Sequence, residues 1–209
     1  PDSDASVAEA HRLGIKILPD WVANHTARDA RWIAEQHASW YERDAAGEPA
    51  VPWDWSDTAK LNYANRDVWR AQGDAMEFWI TQHAVDGFRC DMAMLVPVDF
   101  WTETSRRLRR IHPDLFLLAE AEERNLVEEG GFDACYAWEM HHLLNDVARQ
   151  RVRVTALRDY IYADRGRYPD SAMRLAFTSN HDENTWNGSE FTRMGDAREI
   201  MAVFTFVVP

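Results

Sequence analysis

Cysteine is scarce in this chain: Cys90 and Cys135 are the only two in 209 residues. Two thiols cannot build a disulfide-stapled scaffold, and both fall on predicted strands, so buried free thiols are expected. No apolar run approaches the 18 residues or so that a membrane-spanning helix needs, and no membrane partner is expected. The start, PDSDASVAEAHRLG, has neither a basic region nor an apolar stretch of the signal-peptide kind. Positive charge is also sparse, with 23 Lys and Arg against 35 Asp and Glu, for a net charge of −12. That balance argues against a nucleic-acid partner, whose phosphates require a basic surface. Internal repeats and low-complexity segments are absent.

The composition that remains is 46% hydrophobic and 28% charged, which suits one globular domain with a real core. Tryptophan is unusually common, with ten residues. Trp21, Trp53, Trp55, Trp138 and Trp186 fall in or beside predicted loops. Packing accounts for most such rings; the alternative use is a flat platform for an apolar ligand face.

Helical and extended patterns alternate. Asp4 to Leu13 reads as a helix, with Asp4 as N-cap and Gly14 just past its end. A strand over Ile15–Trp21 follows. Residues 26–65 are polar and irregular, a length that marks a functional loop or a small subdomain, with room for one helix in Arg28–Tyr41. Arg66–Ala84 keeps an apolar stripe at helical spacing. Then come a strand over Asp86–Met92, a helix over Pro97–Ile111, strands over Leu115–Ala121 and Phe132–Ala137, and helices over Glu139–Gln150 and Thr155–Asp164. A strand over Met173–Ser179 and a helix over Ala197–Phe206 close the pattern. About five strands joined by helical crossovers predict an α/β fold with a parallel sheet. A closed eight-stranded barrel needs about 250 residues. The expectation is therefore part of a (β/α)8 barrel spanning residues 1–209, with 26–65 as an insertion; an open five-stranded sheet is the alternative.

Four apolar runs end in carboxylates or histidine: ILPDWVANH, GFRCD, LFLLAEAE and LAFTSNHD. In a parallel α/β fold the C-terminal ends of strands carry the chemistry. Strand alternation puts Phe88, Cys90 and Met92 on one face and Arg89 and Asp91 on the other. A cation two residues before Asp91 would keep that carboxylate ionised and oriented, fit for nucleophilic attack; a purely structural Arg–Asp pair is the alternative. Glu120 leaves an uncharged strand, and desolvation there would favour a general acid. Glu122 and Glu123 follow closely, and residue types alone leave all three open, with Glu120 nearest the strand end. His181 and Asp182 can hydrogen-bond sugar hydroxyls. Asp20, Asn24 and His25 form a similar group on the first strand, where Asp20 can also be structural. His11, His37, His83 and His112 read as surface or packing residues.

Taken in order, these segments resemble the α-amylase family of glycoside hydrolases, family 13. DWVANH is similar to that family's first conserved region. GFRCD is similar to the second, whose Arg and nucleophilic Asp correspond to Arg89 and Asp91. Glu120 corresponds to the acid/base of the third, and TSNHD is similar to the fourth, with Asp182 as the transition-state-stabilising carboxylate and His181 as a sugar-binding neighbour. The resemblance implies a partial barrel covering roughly strands 3 to 7, the long loop following the third strand. It further implies a retaining enzyme on α-linked glucans or maltooligosaccharides, with catalytic Asp91, Glu120 and Asp182, and with Arg89, His181, His25 and Asp20 lining the substrate. Two departures concern calcium. The second region often continues Lys-His where this chain has Met94 and Leu95, and AKLN places Lys60 where calcium-binding members have Asp. Although Asn24 matches one ligand, no metal or other cofactor is expected. A transglycosylase or isomerase such as a trehalose synthase would use the same carboxylates. A metal-dependent barrel hydrolase and a non-catalytic sugar-binding relative are the other readings; Arg89 beside Asp91 speaks against the first, and the presence of both carboxylates against the second.

Overall fold

The computed structural model describes residues 3–35 and 38–208, and the chain divides into two compact units, Pro1–Asp133 and Ala134–Pro209. In the first, helix α1 (Ser3–Arg12) leads to strand β1 (Asp20–Trp21). Among the described residues, strand β2 (His25–Ala27), helix α2 (Arg31–Ala34) and strand β3 (Thr58–Lys60) are the regular elements in and beside the long loop apart from a short 3-10 turn, with β2 and β3 antiparallel. Helix α3 (Arg66–His83), strand β4 (Gly87–Cys90), helix α4 (Val98–Ile111), strand β5 (Phe116–Ala119) and helix α5 (Arg124–Glu128) follow. Strand β4 lies between β1 and β5 and runs parallel to both, with Asp20 opposite Arg89 and Cys90 opposite Ala119.

Gly14 ends α1 in the left-handed region at φ +73°, and the Gly14 and Ile15 N–H groups donate back to His11 and Ala10, a Schellman closure. The strand expected over Ile15–Trp21 is much shorter. Pro19 has no N–H to give the ladder, so regular pairing begins only at Asp20, although Ile17 and Pro19 still accept from Asp86 and Arg89. Asn65 caps α3 by accepting from the Asp67 N–H. The two long helices meet through Arg107, which donates to Asp74 and Glu77. Beneath them Phe88, Cys90, Phe100, Trp101, Leu108, Leu117 and Ala119 are all essentially inaccessible. Gly87 is required by close approach: a Cβ there would lie 1.8 Å from the Phe116 carbonyl oxygen. The long loop packs Tyr41, Ala59 and Leu61 on Val68 of α3, edged by Trp32, Ile33, Trp40 and Tyr63. Of the helix expected in Arg28–Tyr41, only α2 and a short 3-10 turn at Ala38–Trp40 form within the described residues; His37 lies outside them.

The second unit holds strand β6 (Ala134–Tyr136), helices α6 (Trp138–Ala148) and α7 (Thr155–Arg165), strand β7 (Met173–Leu175), and helices α8 (His181–Trp186), α9 (Glu190–Met194) and α10 (Arg198–Val207). Strands β6 and β7 pair in parallel, as a helical crossover requires. Met140, Leu144, Leu157, Tyr160, Met194 and Met201 form its core. A polar knot is buried beside them. His141, fully buried, places Nε2 3.1 Å from the Glu183 carboxylate and Nδ1 3.2 Å from the Phe177 carbonyl. Arg193 donates to the Asn145 side chain at 2.9 Å and to the Thr178 and Gly188 carbonyls. This knot ties α6, α8 and α9 to the chain leaving β7. The strand expected to run to Ser179 stops at Leu175 because the carbonyls of Phe177 and Thr178 are taken by side chains rather than by a ladder. Cys90 and Cys135 are buried and neither forms a disulfide, as expected, and Cys135 Sγ accepts from Arg174.

Two buried carboxylates generate predictions. Asp86, just before β4, receives Lys16 Nζ, the Ile17 N–H and His11 Nε2, each at 2.8 Å. Burial alone would raise its pKa, but these partners outweigh it and bring the value from 3.8 down to about 2. A depressed carboxylate stabilises the fold above its unfolded pKa, and that contribution vanishes as pH falls from about 4 through 2. Asp86→Asn should therefore cost about 2 kcal/mol or less at pH 7, since Lys16 lies mostly in solvent, and should flatten the acid limb of chemical unfolding curves. In the second unit, burial holds His141 below the ordinary histidine pKa against the pull of Glu183, so protonation of the unfolded chain weakens the fold below about pH 6.5. Glu183 also has a lowered pKa: burial opposes the shift, and His141, Arg193 and Asn187 outweigh it. Its contribution is lost as pH falls through and below the carboxylate range. Glu183→Gln should destabilise the protein by roughly 1–3 kcal/mol at pH 7, with the deficit shrinking toward pH 3, in urea titrations.

Candidate functional site

Arg89 gathers the first unit's charged strand ends. It is the third residue of β4, and its neighbours Phe88 and Cys90 are buried on the opposite face, so the pleat turns the guanidinium the other way. Its Nη1 donates to Asp20 Oδ1 at 2.7 Å and to Asp91 Oδ1 at 2.9 Å, and its Nη2 lies 2.8 Å from Glu120 Oε2. One cation thus contacts three carboxylates from three neighbouring parallel strands. The Arg89–Asp91 pair follows from the spacing, and the pairing of β4 with β5 in register adds the contact with Glu120.

Asp91 and Glu120 are the first residues past Cys90 and Ala119, the paired ends of their strands. The Asp91 N–H donates to the Trp21 carbonyl and the Glu120 N–H to the Cys90 carbonyl, each at 3.0 Å, so both residues continue the ladder by one step and their side chains are fixed relative to the sheet. Glu120 is 3% exposed and also accepts from the Met92 N–H at 3.0 Å. That N–H is aimed by Met92, which holds the left-handed region at φ +41° and turns the chain sharply after the Asp91 strand end. The Asp91 side chain is 20% exposed and that of Asp20 54%, so accessibility increases away from Glu120. Of the neighbouring acids, Glu122 is half-buried and Glu123 exposed, directly before α5.

His25 opens β2 with its ring 5.4 Å from that of Trp55. Burial lowers its pKa, while the nearby charges of Asp91 and Asp57 work in the other direction. The neutral imidazole that results can both donate and accept a hydrogen bond. The buried Asn24 side chain lies 3.4 Å from His25 Nδ1 and steadies the ring. Trp21 and Trp138 have packing roles: the first lies against Phe88 and donates to Gln72, the second packs among Tyr136, His141 and Phe177.

His181 and Asp182 belong to the second unit. Their segment reads as a strand end, yet the structure makes it a helix start. Asn180 is the N-cap of α8, its Oδ1 accepting from the Glu183 N–H at 2.8 Å. The spacing Asn180-x-x-Glu183 is the capping-box spacing, a signal available in the sequence that the apolar run before it obscured. His181 and Asp182 occupy the first turn and are largely accessible, with His181 Nε2 3.4 Å from Asp182 Oδ2. Behind them Glu183 points inward to His141 and Arg193, so the buried knot anchors the turn that presents both side chains. None of these three anchoring residues was singled out from sequence, since each is remote in the chain from the others.

Comparison with known proteins gives a consistent result. The model of the alpha amylase catalytic domain matches residues 2–208. Neopullulanase 2 of Thermoactinomyces vulgaris is 27% identical over 87% of this chain and 32% of its own length. The trehalose synthase/amylase TreS of Mycobacterium tuberculosis is 28% identical over 88% of this chain and 39% of its own. The crystal structure of an alpha-amylase from Lactobacillus plantarum superposes with a TM-score of 0.79 at 30% identity, over 86% of this chain and 46% of that one. The chain spans less than half the length of each of these relatives, and its parallel α/β fold is that of their barrels. With the family model matching almost end to end, the chain belongs to the alpha-amylase catalytic-domain family.

Proposed function

We propose that this chain carries the nucleophile and the acid/base of a retaining glycoside hydrolase acting on α-linked glucans or maltooligosaccharides. The observation that supports this most is the pair Asp91 and Glu120, side by side at the C-terminal ends of adjacent parallel strands and held on one guanidinium. A retaining reaction needs two carboxyl groups roughly 5–5.5 Å apart, and two carboxylates bound to the two terminal nitrogens of one arginine are compatible with that separation. Asp91 attacks the anomeric carbon as the glycosidic C–O bond breaks, and Glu120 delivers its proton to the departing oxygen. The resulting glycosyl ester on Asp91 is then opened by water, whose proton Glu120 takes back. Arg89 holds Asp91 in place through Nη1, and Asp20 shares that nitrogen while leaving part of its own carboxylate accessible to a sugar hydroxyl. His25 supplies a further hydroxyl contact, and the roles that the family pattern gives His181 and Asp182 are sugar binding and stabilisation of the positive charge that develops on the ring. A sugar in place of water would give transglycosylation or isomerisation with the same residues, a reading favoured by the likeness to the trehalose synthase/amylase.

We further propose that the reaction proceeds without a calcium ion between the long loop and the barrel. The family's calcium ligands do not fit here. Lys60 occupies an expected carboxylate position and is itself paired with Glu42 at 2.9 Å, and Leu95 occupies an expected imidazole position. Asn24 turns its amide toward His25. Among the described residues no cluster of three or more His, Cys, Asp or Glu side chains gathers to hold an ion.

In the full-length protein, Asp91→Ala and Glu120→Gln should each reduce turnover of maltooligosaccharides by several orders of magnitude. Azide separates their roles on a substrate with a good leaving group. With Glu120→Gln it should restore turnover and give an α-configured glycosyl azide, because the covalent intermediate still forms. With Asp91→Ala the rescued product should be the β-azide, from direct displacement. Near-normal activity in Glu120→Gln would move the acid elsewhere, with Glu122 the first candidate. For the metal, melting temperatures in millimolar calcium and in chelator should agree within about 2 °C; a large calcium-dependent rise would show a bound ion.

A further inference from the structure

We propose that Trp53 and Trp55 form a carbohydrate-stacking strip that holds an α-glucan chain beyond the sugar at the cleaved bond; this rests on the glucan reading above. The two indoles lie nearly parallel, with centroids 6.2 Å apart and planes at 22°, and Trp55 continues to the His25 ring at 5.4 Å. His25 comes four positions after Trp21, whose carbonyl accepts from the Asp91 N–H, so the strip begins on the segment that leaves the strand next to the proposed nucleophile. Trp53 is 60% exposed. Other tryptophans of this unit use their indole N–H inside the fold: Trp21 donates to Gln72, Trp69 to the Tyr63 carbonyl and Trp101 to the Ala93 carbonyl. Among the described residues neither Trp53 nor Trp55 has such a partner, so both N–H groups are available to a ligand.

The strip is built rather than loose. Arg28 Nε donates to the Ser56 carbonyl at 2.9 Å, its Nη2 to the Pro49 carbonyl, and its backbone N–H to the Asp57 carbonyl. Thr58 closes the turn by donating to the Trp55 carbonyl through both its N–H and its hydroxyl. Trp53 itself holds φ +55°, a conformation that a bulky residue adopts rarely and at a cost. Beyond its contact with Trp55, packing does not explain a large apolar ring kept 60% exposed on a strained backbone. The ligand class follows from the pattern Trp53-Asp54-Trp55-Ser56-Asp57, in which rings alternate with polar residues. A pyranose is amphiphilic in the same way: its faces present C–H groups to an indole, and its rim presents hydroxyls to carboxylates. A protein partner docking on apolar surface would have to desolvate Asp54 and Asp57 without pairing them.

The test compares maltoheptaose with maltotriose in the full-length protein. Trp53→Ala should raise KM for maltoheptaose about tenfold while kcat stays within twofold, and should leave both parameters for maltotriose within twofold. Trp53→Phe, which keeps a flat ring, should recover most of the loss. Maltoheptaose should also quench tryptophan fluorescence less in Trp53→Ala than in the wild type. An equal loss on both substrates, or no loss on either, would overturn the strip while leaving the catalytic reading intact. Absence of both turnover and maltoheptaose binding in the wild type would overturn the two together.

Discussion

The first unit is organised around one electrostatic problem, three carboxylates brought to the same end of a parallel sheet, and one solution, the Arg89 guanidinium between them. Like charges this close would disfavour their shared ionisation and push the strand ends apart. Arginine suits the position because its planar fork offers several donors at fixed angles and does not lose its charge. A lysine would supply the charge but not the simultaneous contacts with Asp20, Asp91 and Glu120. The register of β4 against β1 and β5 matters for the same reason. A slip of one residue would turn Arg89 into the apolar layer now filled by Phe88 and Cys90. The apolar core beneath the sheet therefore fixes the polar chemistry above it, and Gly87, against the Phe116 carbonyl, keeps the two strands close enough for that register.

The second unit solves a different problem. It presents His181 and Asp182 to solvent from a helix of only six residues, too short to be stable by its own hydrogen bonds. Its stability comes from outside the helix. Asn180 caps it, and Glu183 roots it in a buried network with His141, Arg193 and Asn145. The network consists of paired and hydrogen-bonded groups, as buried charge requires. It also makes this unit sensitive to acid, since both His141 and Glu183 titrate in the direction that weakens the folded state as pH falls.

Both units follow one design, in which exposed, chemically useful side chains are supported by buried partners from distant parts of the chain. The proposed strip of Trp53 and Trp55 extends it to the long loop, where Arg28 fastens the backbone next to the exposed Trp53 and half-buried Trp55 rings. Reactive groups on rigid elements with fixed neighbours lose little entropy when a ligand arrives. Lys60 and Glu42 show the same economy within the loop, where an ion pair joins neighbouring segments.

Local chemistry determined much of this by itself. The alternation of 3.6-residue and short apolar runs set the order of the longer helices and of the five parallel strands, though not the short helices α5, α8 and α9 or the pair β2 and β3, and the two longest helices, α3 and α4, lie within a residue or two of where their stripes and caps place them. Charged residues at the ends of apolar runs marked Asp20, Arg89, Asp91 and Glu120 as rim residues, because a buried strand cannot hold them unpaired. Strand lengths were beyond local chemistry, since a ladder ends where its partner ends or where a proline such as Pro19 interrupts it. So was the nature of the segment at Asn180, where a capping geometry overrode the apolar run before it. Which carboxylates share Arg89, which ring meets His25, and which buried groups anchor Asp182 were decided only by tertiary structure. Apart from the local pair of Arg89 and Asp91, these contacts join residues far apart in the chain, and only strand register and helix packing bring them together.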